Sequence, residues 1–277
     1  MIKDVIVHLE HDATRDAVRD YALSIAEKFD VYLTGVAFGY VANIPSFVLP
    51  DFPAEILADL AANTEMAARG AIERFDAAVK RSGISAESRL LMQSEFGPPR
   101  TFAAMGRRFD LSVIMQSDDD SGASNDSLIE AALFDSGRPL IVVPYIQKGG
   151  LELDHIICCW DGGRAAARAL NDALPLLKKA RVVELLIVAN EKTDYAHVVR
   201  GAEVAKHLGR HDVKVEVKII PAADIDVANT ILSYVADRSA SMIVMGGYGH
   251  SRLREFVLGG TTREILSTMT VPVFMSH

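Results

Sequence analysis

Short apolar runs alternate with longer segments of helical spacing along the whole chain. In its second half, the apolar runs predict strands at 155–160, 182–189, 213–220, 241–246 and 271–275. The segments between them predict helices over 163–179, 193–209, 226–238 and 259–268. Continuous apolar strands joined by helices are typical of a parallel sheet that is covered on both faces. The pattern therefore predicts an α/β fold with doubly wound, Rossmann-like sheets.

The same plan occurs twice. The first half opens with DVIVHLEHDATRDAVRDYALSIAEKFDVYLTGVAF, and DHIICCWDGGRAAARALNDALPLLKKARVVELLIVA follows from position 154. Further along, LSVIMQS matches SMIVMGG, and RPLIVVPY matches TVPVFMSH. We therefore expect two tandem five-stranded domains with helices on both faces, residues 1–146 (the first half) and 151–277 (the second half). The first half carries an additional Pro- and aromatic-rich loop at 41–56, which leads into a long helix over 54–81.

Glycines cluster in one stretch of the second half, GGYGHSRLREFVLGGTTREIL (246–266). Gly246 and Gly249 follow a predicted strand, and Gly259 and Gly260 precede a predicted helix. Glycine lets a ligand approach the backbone closely, and a helix N-terminus offers N–H groups and a partial positive charge to an anion. The stretch therefore predicts a phosphate site, although it matches neither GxxxxGK[ST] nor GxGxxG. Glycines that only form turns and caps are the alternative.

The spacing in this stretch resembles the signature of the universal stress protein family: Gly, two residues, Gly, nine residues, Gly, then Ser or Thr. Gly246, Gly249 and Gly259 fit it, and WDGG after the first strand and VPV in the last strand agree. Since both halves share the plan, the chain is identified as a tandem member of this family. The resemblance implies an adenine nucleotide such as ATP, with or without Mg²⁺, bound in the second half by a stress-response module.

The resemblance also implies a role for each matching residue. Asp161 and Val188 would contact the adenine, Met245 and Gly246 would lie beside the ribose, and the phosphates would meet Gly249, Gly259, Gly260 and Thr261. One position departs from the family pattern, because Gly260 stands where Ser or Thr is expected. We expect the hydroxyl of Thr261, or the backbone N–H alone, to replace the missing side chain.

The first half departs much further from the family pattern. The segment from Gln116 to Asp120 reads QSDDD in place of the glycine loop, and its three aspartates would repel a triphosphate. Glu10 occupies the position of Asp161, but the phosphate-binding glycines are missing. We therefore expect a degenerate domain that has lost nucleotide binding. A small-molecule carrier or an interaction module that works through this half, independently of nucleotide, is left open, as is the role of the apolar loop 41–53.

Charge and composition exclude several other classes. The formal net charge of −8 argues against binding of nucleic acid, and the chain has neither a basic run nor an apolar span for a membrane. Its N-terminus lacks the pattern of a signal peptide. The adjacent Cys158 and Cys159 are expected to be reduced core residues, so we expect a cytoplasmic protein.

No catalytic residues and no metal ligands are predicted. The chain shows no nucleophile elbow and no zinc-type spacing, so a dedicated enzyme is not expected, and slow ATP hydrolysis is left open. HLEHD (8–12) could suggest metal ligands, but a polar strand end is the favoured interpretation. The resemblance also implies that the apolar final strands, 140–145 and 271–276, meet in an intramolecular pseudo-dimer, because members of that family associate through this edge, and such pairing would remove an exposed apolar edge. A homodimer is left open.

Overall fold

The structure, a computed structural model, describes residues 1–40, 54–92, 96–118, 124–189, 195–221, 226–247 and 260–277. Its strands are β1 (Asp4–His8), β2 (Tyr32–Phe38), β3 (Ala86–Leu91), β4 (Leu111–Met115), β5 (Leu140–Val143), β6 (His155–Cys159), β7 (Val182–Ala189), β8 (Glu216–Pro221), β9 (Met242–Gly246) and β10 (Val273–Ser276). Its α-helices are α1 (Ala17–Phe29), α2 (Ala54–Ser82), α3 (Pro98–Gly106), α4 (Asp126–Asp135), α5 (Arg164–Asp172), α6 (Leu174–Leu177), α7 (Tyr195–Arg210), α8 (Val227–Asp237) and α9 (Gly260–Thr268).

These strands form one continuous sheet in the order β3-β2-β1-β4-β5-β10-β9-β6-β7-β8. Within each half the neighbouring strands are parallel, and the order reverses at the first strand, which is β1 in the first half and β6 in the second. This is the doubly wound arrangement that the sequence predicts. Parallel strands bring their carboxyl ends to one edge of the sheet, where ligands of such folds bind.

Helices cover both faces of the sheet. One apolar core contains side chains of α1, α2, α5, α6 and α7, and the other contains side chains of α3, α4, α8 and α9. The strands supply both cores by alternation: Val5 and Val7 face the first core, and Ile6 faces the second. All three are fully buried. This two-sided burial explains why the strands read as continuous apolar runs in the sequence.

The two halves meet through their final strands. β5 and β10 pair antiparallel, with Ile141 opposite Phe274. The expectation that these strands meet is confirmed. Because the pair adds main-chain hydrogen bonds between the halves, the two five-stranded sheets become one ten-stranded sheet, and neither final strand remains an exposed edge.

One predicted helix is divided in the structure. The pattern predicts a helix over 163–179, but α5 ends at Asp172 and the short α6 begins at Leu174. Pro175 stands in the first turn of α6, where its missing N–H is tolerated, but it cannot donate the hydrogen bond that would continue α5.

Two further expectations concern the cysteines and membrane spans. Cys158 is buried in β6 and carries a free thiol, whose pKa is raised by that burial. Cys159 follows it, and burial raises its pKa to about 12, so neither thiol is a ready nucleophile.

Among the helices of the described residues, we find none with the length and hydropathy needed to cross a lipid bilayer.

Candidate functional site

The carboxyl ends of β6, β7 and β9 lie side by side at one edge of the second half. β6 pairs with β7 on one side and with β9 on the other, so the order of strands reverses between β6 and β9. Asp161 comes two residues after β6, Val188 is the next-to-last residue of β7, and Gly246 ends β9. The fold therefore brings these three predicted residues to the same edge, at the place where doubly wound sheets bind ligands.

The carboxylate of Asp161 folds back over the start of α5. Its Oδ1 accepts a hydrogen bond of 2.7 Å from the backbone N–H of Gly163, while the residue as a whole remains exposed. A Cβ on Gly163 would come within 2.9 Å of the same oxygen, so glycine permits this close turn. The side chain thus closes an Asx turn to the backbone two residues on, just before α5, which fixes the carboxylate at the sheet edge.

Gly246 is a glycine because α5 passes very close to the end of β9. A Cβ at this position would lie 2.4 Å from the backbone nitrogen of Ala166 and 2.5 Å from the carbonyl carbon of Ala165. Both are backbone atoms, so no side chain could rotate away to make space. The packing of strand against helix thus accounts for this glycine whether or not a ligand is bound.

Met245 and Val188 contribute differently from the exposed Asp161. Met245 is 6% exposed, belongs to the core on the side of α8 and α9, and pairs with Met275 of β10. Because its side chain is buried, a ligand at the edge would meet its backbone at most. Val188 is half-buried and packs against the same core, which leaves it close to the end of β7.

The start of α9 holds the other predicted residues that the structure describes. Gly260 is the first residue of α9 and is exposed, and a Cβ there would meet no atom of the described residues within 4 Å. Thr261 is half-buried and Thr262 is 5% exposed. No steric demand of the described fold therefore requires glycine at 260, in contrast to Gly246. The predicted Gly249 and Gly259 lie outside the described residues.

A pocket of about 310 Å³ lies on the side of the second half, between α5 and α7. Trp160, which immediately precedes Asp161, forms part of its wall, together with Ala167, Leu170, Asn171, Glu203, Val204, His207 and Leu208. Its volume is at the lower end of the range of small-molecule sites. The pocket gives the region behind Asp161 an apolar wall with a few polar groups at its rim.

The corresponding edge of the first half is filled by the chain's own side chains. Arg15, in the turn Ala13–Arg15, donates from Nε to Glu10 Oε2 at 2.9 Å and from Nη2 to the carbonyl oxygen of Gln116 at 2.8 Å. Asn125 donates from Nδ2 to Glu10 Oε1 at 2.7 Å. Glu10, Arg15 and Asn125 are at most 8% exposed. We call these three residues the Glu10 cluster.

The charge of Glu10 is balanced within this cluster. Burial alone would raise the pKa of Glu10, but His8, at 3.4 Å, and the Arg15 guanidinium outweigh burial and lower that pKa to about 2. Asn125 adds a hydrogen bond to the charged form. A carboxylate that is buried, neutralised and hydrogen-bonded in this way is not available to a ligand.

HLEHD does not assemble a set of metal ligands. His8 lies next to Glu10, but His11 turns away, and its Nε2 lies 3.0 Å from the carbonyl oxygen of Phe38. Burial and the neighbouring His8 lower the pKa of His11. Across the part of the chain that the structure describes, no three His, Cys, Asp or Glu side chains are grouped as a metal site would need.

Sequence reasoning missed Arg15 and Asn125. It attributed the loss of nucleotide binding to the aspartates at 118–120, of which the structure describes Asp118, 3.7 Å from Arg15 Nη1. The available signal was an arginine five residues after Glu10, at a position where the repeat in the second half has Ala166. Asn125 could not be found in this way, because it lies 115 positions from the carboxylate that it binds.

Comparison with known proteins identifies the second half. The model of the universal stress protein family matches residues 152–277. This part of the chain belongs to the universal stress protein family. A universal stress protein of Synechocystis is 24% identical over 137 residues, which cover 49% of this chain and 46% of that protein. The match thus spans less than half of the length of that curated relative.

Solved universal stress proteins share the fold of the whole chain. The match to the crystal structure of a universal stress protein from Archaeoglobus fulgidus covers 99% of this chain and 95% of that protein, with a TM-score of 0.70 and 18% identity. A protein from Pseudomonas aeruginosa described as a putative universal stress protein covers 99% and 93%, with a TM-score of 0.64 and 13% identity. At these identities the likeness concerns the fold alone, and it extends that fold to the first half.

Proposed function

We propose that the second half binds an adenine nucleotide of the ATP type, at the edge where β6 and β9 end, and that the protein acts as a nucleotide-binding module in stress response. The observation that carries this proposal is that Asp161, Gly246 and the start of α9 all belong to the second half and follow its strands at the ligand-binding edge. This is also the half that the universal stress protein family model matches. The strand order reverses at the same place, which is where doubly wound folds bind nucleotides.

The phosphate end of the proposed site is the N-terminus of α9. The first N–H groups of a helix have no partner within the helix, and the helix dipole favours negative charge there. Gly260 offers its bare backbone where no described atom would lie within 4 Å of a Cβ, and the Thr261 hydroxyl follows directly. A Mg²⁺ ion bound with the triphosphate would balance part of the phosphate charge. The predicted contacts of Gly249 and Gly259 are part of this proposal.

The adenine end of the proposed site is Asp161, with the backbone near Val188. The hydrogen bond from Gly163 fixes the Asp161 carboxylate at the edge before any ligand arrives, so little ordering is needed on binding. A charged acceptor in this position suits a donor on the base or the ribose.

Asp161→Ala is expected to weaken ATP binding by about 1–3 kcal/mol, the scale of a hydrogen bond to a charged group. Asp161→Asn is the matched control, because its amide oxygen can still accept from Gly163 and should preserve the turn before α5. Isothermal titration calorimetry of both variants, with thermal melts, separates the two roles. The proposal expects both variants to lose affinity while only the Ala variant loses stability. Wild-type affinity in both would remove Asp161 from the site.

One nucleotide is expected per chain. The first-half edge is filled by the Glu10 cluster. Among the described residues, the proposed combination of Asp161 with the N-terminus of α9 occurs only in the second half. Calorimetric titration of the full chain with ATP should give a stoichiometry near one. A value near two would mean that the first half also binds, and would contradict the assignment of this half as degenerate.

The organisation of the chain follows the same proposal. Residues 1–146 form the degenerate domain, residues 151–277 form the nucleotide-binding domain, and their final strands join them as an intramolecular pseudo-dimer through β5 and β10. A site for ATP suits the cytoplasm, where this nucleotide is abundant. Whether two chains associate into a homodimer is left open by this proposal and can be measured by ultracentrifugation.

A further inference from the structure

The first half reaches helix α9 of the second half through one buried side chain. Gln116, directly after β4, is 1% exposed. Its Nε2 donates a hydrogen bond of 2.8 Å to the carbonyl oxygen of Leu266, in the last turn of α9. Its Oε1 accepts a bond of 3.1 Å from the backbone N–H of Tyr145, just after β5. Gln116 therefore ties α9 to the backbone of the first half.

This contact satisfies a group that α9 cannot satisfy by itself. The last four carbonyl groups of a helix lack partners within it, and Leu266 carries one of them in a helix that ends at Thr268. α9 has only nine residues, and Leu266 lies about 9 Å along the axis from Gly260. Since a short helix moves as one body, fixing its last turn also fixes its first.

The end of β9 is held from the first half as well. A Cβ on Gly247 would lie 2.6 Å from Cδ2 of Leu133 in α4, which shows how closely that helix approaches. The carbonyl oxygen of Gly247 also lies 2.9 Å from Nδ1 of His277, whose ring packs at 4.8 Å against that of Phe134. The first half thus contacts the second on both elements that carry the proposed phosphate end.

The hydrogen bond from Gln116 has no counterpart at the equivalent position of the second half, although Lys179 Nζ donates elsewhere, at 2.8 Å, to the carbonyl oxygen of Lys28. The position equivalent to Gln116 in the repeat is Gly246, which has no side chain and where α5 leaves no space for one. In the first half, α1 begins further from the end of its preceding strand than α5 does in the second half, because the turn that carries Arg15 comes in between. The Arg15 guanidinium occupies the space next to Gln116. The side-chain link therefore runs from the degenerate half to the nucleotide half.

We propose that Gln116 is a positioning residue for the nucleotide site: through Leu266 it holds α9 in place, so that the first half sets how strongly the second half binds a triphosphate. This inference rests on the proposed nucleotide binding. It gives the first half a function without a ligand of its own. The adenine end should be indifferent to Gln116, because Asp161 is held by Gly163 within the second half.

Two substitutions test the link in the full-length chain. Gln116→Met has a similar volume but neither hydrogen bond, and Gln116→Leu lacks both hydrogen bonds with a side chain of different shape. Thr34→Val is the matched control, since Thr34 is 1% exposed in β2 and its hydroxyl bonds Glu87 within the first half. Calorimetry measures the affinity of each variant for ATP and for adenosine.

Both Gln116 variants are expected to bind ATP about fivefold more weakly, the effect of one lost hydrogen bond, and to keep their affinity for adenosine. Thr34→Val should leave both affinities unchanged. Amide hydrogen exchange without ligand adds a second readout, with faster exchange expected at Glu264 to Leu266, whose amides lie beyond the first turn of α9, in Gln116→Met and unchanged exchange in β9.

The possible results distinguish the positioning role of Gln116 from the proposed nucleotide binding. Wild-type ATP affinity in both Gln116 variants would overturn the positioning role and leave the proposed function intact. Equal losses for ATP and adenosine would also overturn it, because they would indicate a general disturbance of the fold. A wild-type chain that binds neither ligand would overturn the proposed function itself and the claim about affinity with it. If, in addition, amide exchange in α9 is the same in Gln116→Met as in the wild type, Gln116 does not position the helix either.

Discussion

Glu10→Gln is expected to lower the free energy of unfolding by about 3–5 kcal/mol, the range found when one partner of a buried ion pair is removed. The reason is the Arg15 guanidinium, which is 6% exposed and bonds the Glu10 carboxylate at 2.9 Å. A glutamine has nearly the same size, but it removes the carboxylate that is hydrogen-bonded to this buried charge and leaves only the more distant Asp118, at 3.7 Å. Urea denaturation at pH 7 measures the loss.

Two control variants identify the source of this loss. Adding Arg15→Met to Glu10→Gln removes the buried charge and should recover most of the stability, because an apolar side chain of similar volume can replace a buried pair at little cost. Glu65→Gln breaks an exposed pair with Arg69 on α2 and should cost no more than about 1 kcal/mol. A loss as small as this for Glu10→Gln would show that the Glu10 cluster does not stabilise the first half.

The same variant should flatten the dependence of stability on acid. The pKa of Glu10 is about 2 in the folded chain, against a reference value of 4.5. Its contribution to stability is therefore complete above about pH 4.5 and is lost as the pH falls from there through about pH 2. The difference corresponds to about 3 kcal/mol. Unfolding free energies measured at pH 7, 4.5 and 3 should fall more steeply for the wild type than for Glu10→Gln.

The periodic elements could be predicted from the sequence because their signals are local. The apolar runs of β6 and β7 and the 29-residue α2 are set by composition and spacing over a few turns, and the structure places them within a few positions of the predictions. The pairing of β5 with β10 was expected from the family resemblance, and it removes two apolar edges that would otherwise lack neighbours. The break at Pro175 carried a local signal that the continuous helical pattern obscured.

The side-chain arrangement at the two edges could not be predicted in the same way. Asn125 and Glu10 come together through a contact 115 positions apart, and Gln116 and Leu266 through one 150 positions apart. Such contacts depend on where whole elements pack, and no period in the sequence encodes that. The surroundings of the glycines could not be predicted either. Gly246 and Gly260 belong to the same glycine-rich stretch, but Gly246 is enclosed by α5, whereas Gly260 has no described atom within reach of a Cβ.

Gly246→Ala and Gly260→Ala are therefore expected to have opposite effects, although both glycines belong to the same stretch. Gly246→Ala places a methyl group 2.4 Å from a backbone nitrogen of α5, and we expect a loss of about 3 kcal/mol in the free energy of unfolding, the upper range for overpacking. Gly260→Ala meets no atom of the described residues within 4 Å and adds a better helix former to α9. It should gain about 0.5–1 kcal/mol.

Ligand binding by the same two variants separates a phosphate site from a pair of turns. If phosphates approach the bare backbone at the start of α9, Gly260→Ala should weaken ATP binding and leave adenosine binding unchanged, even though the free protein is more stable. Gly246→Ala should lower both affinities together, in proportion to the loss of folded structure, because its methyl group displaces α5 and with it Asp161. Thermal melts and calorimetry with both ligands provide the comparison. An unchanged affinity for ATP in Gly260→Ala would mean that Gly260 only starts the helix, and the phosphate end of the site would have to lie elsewhere.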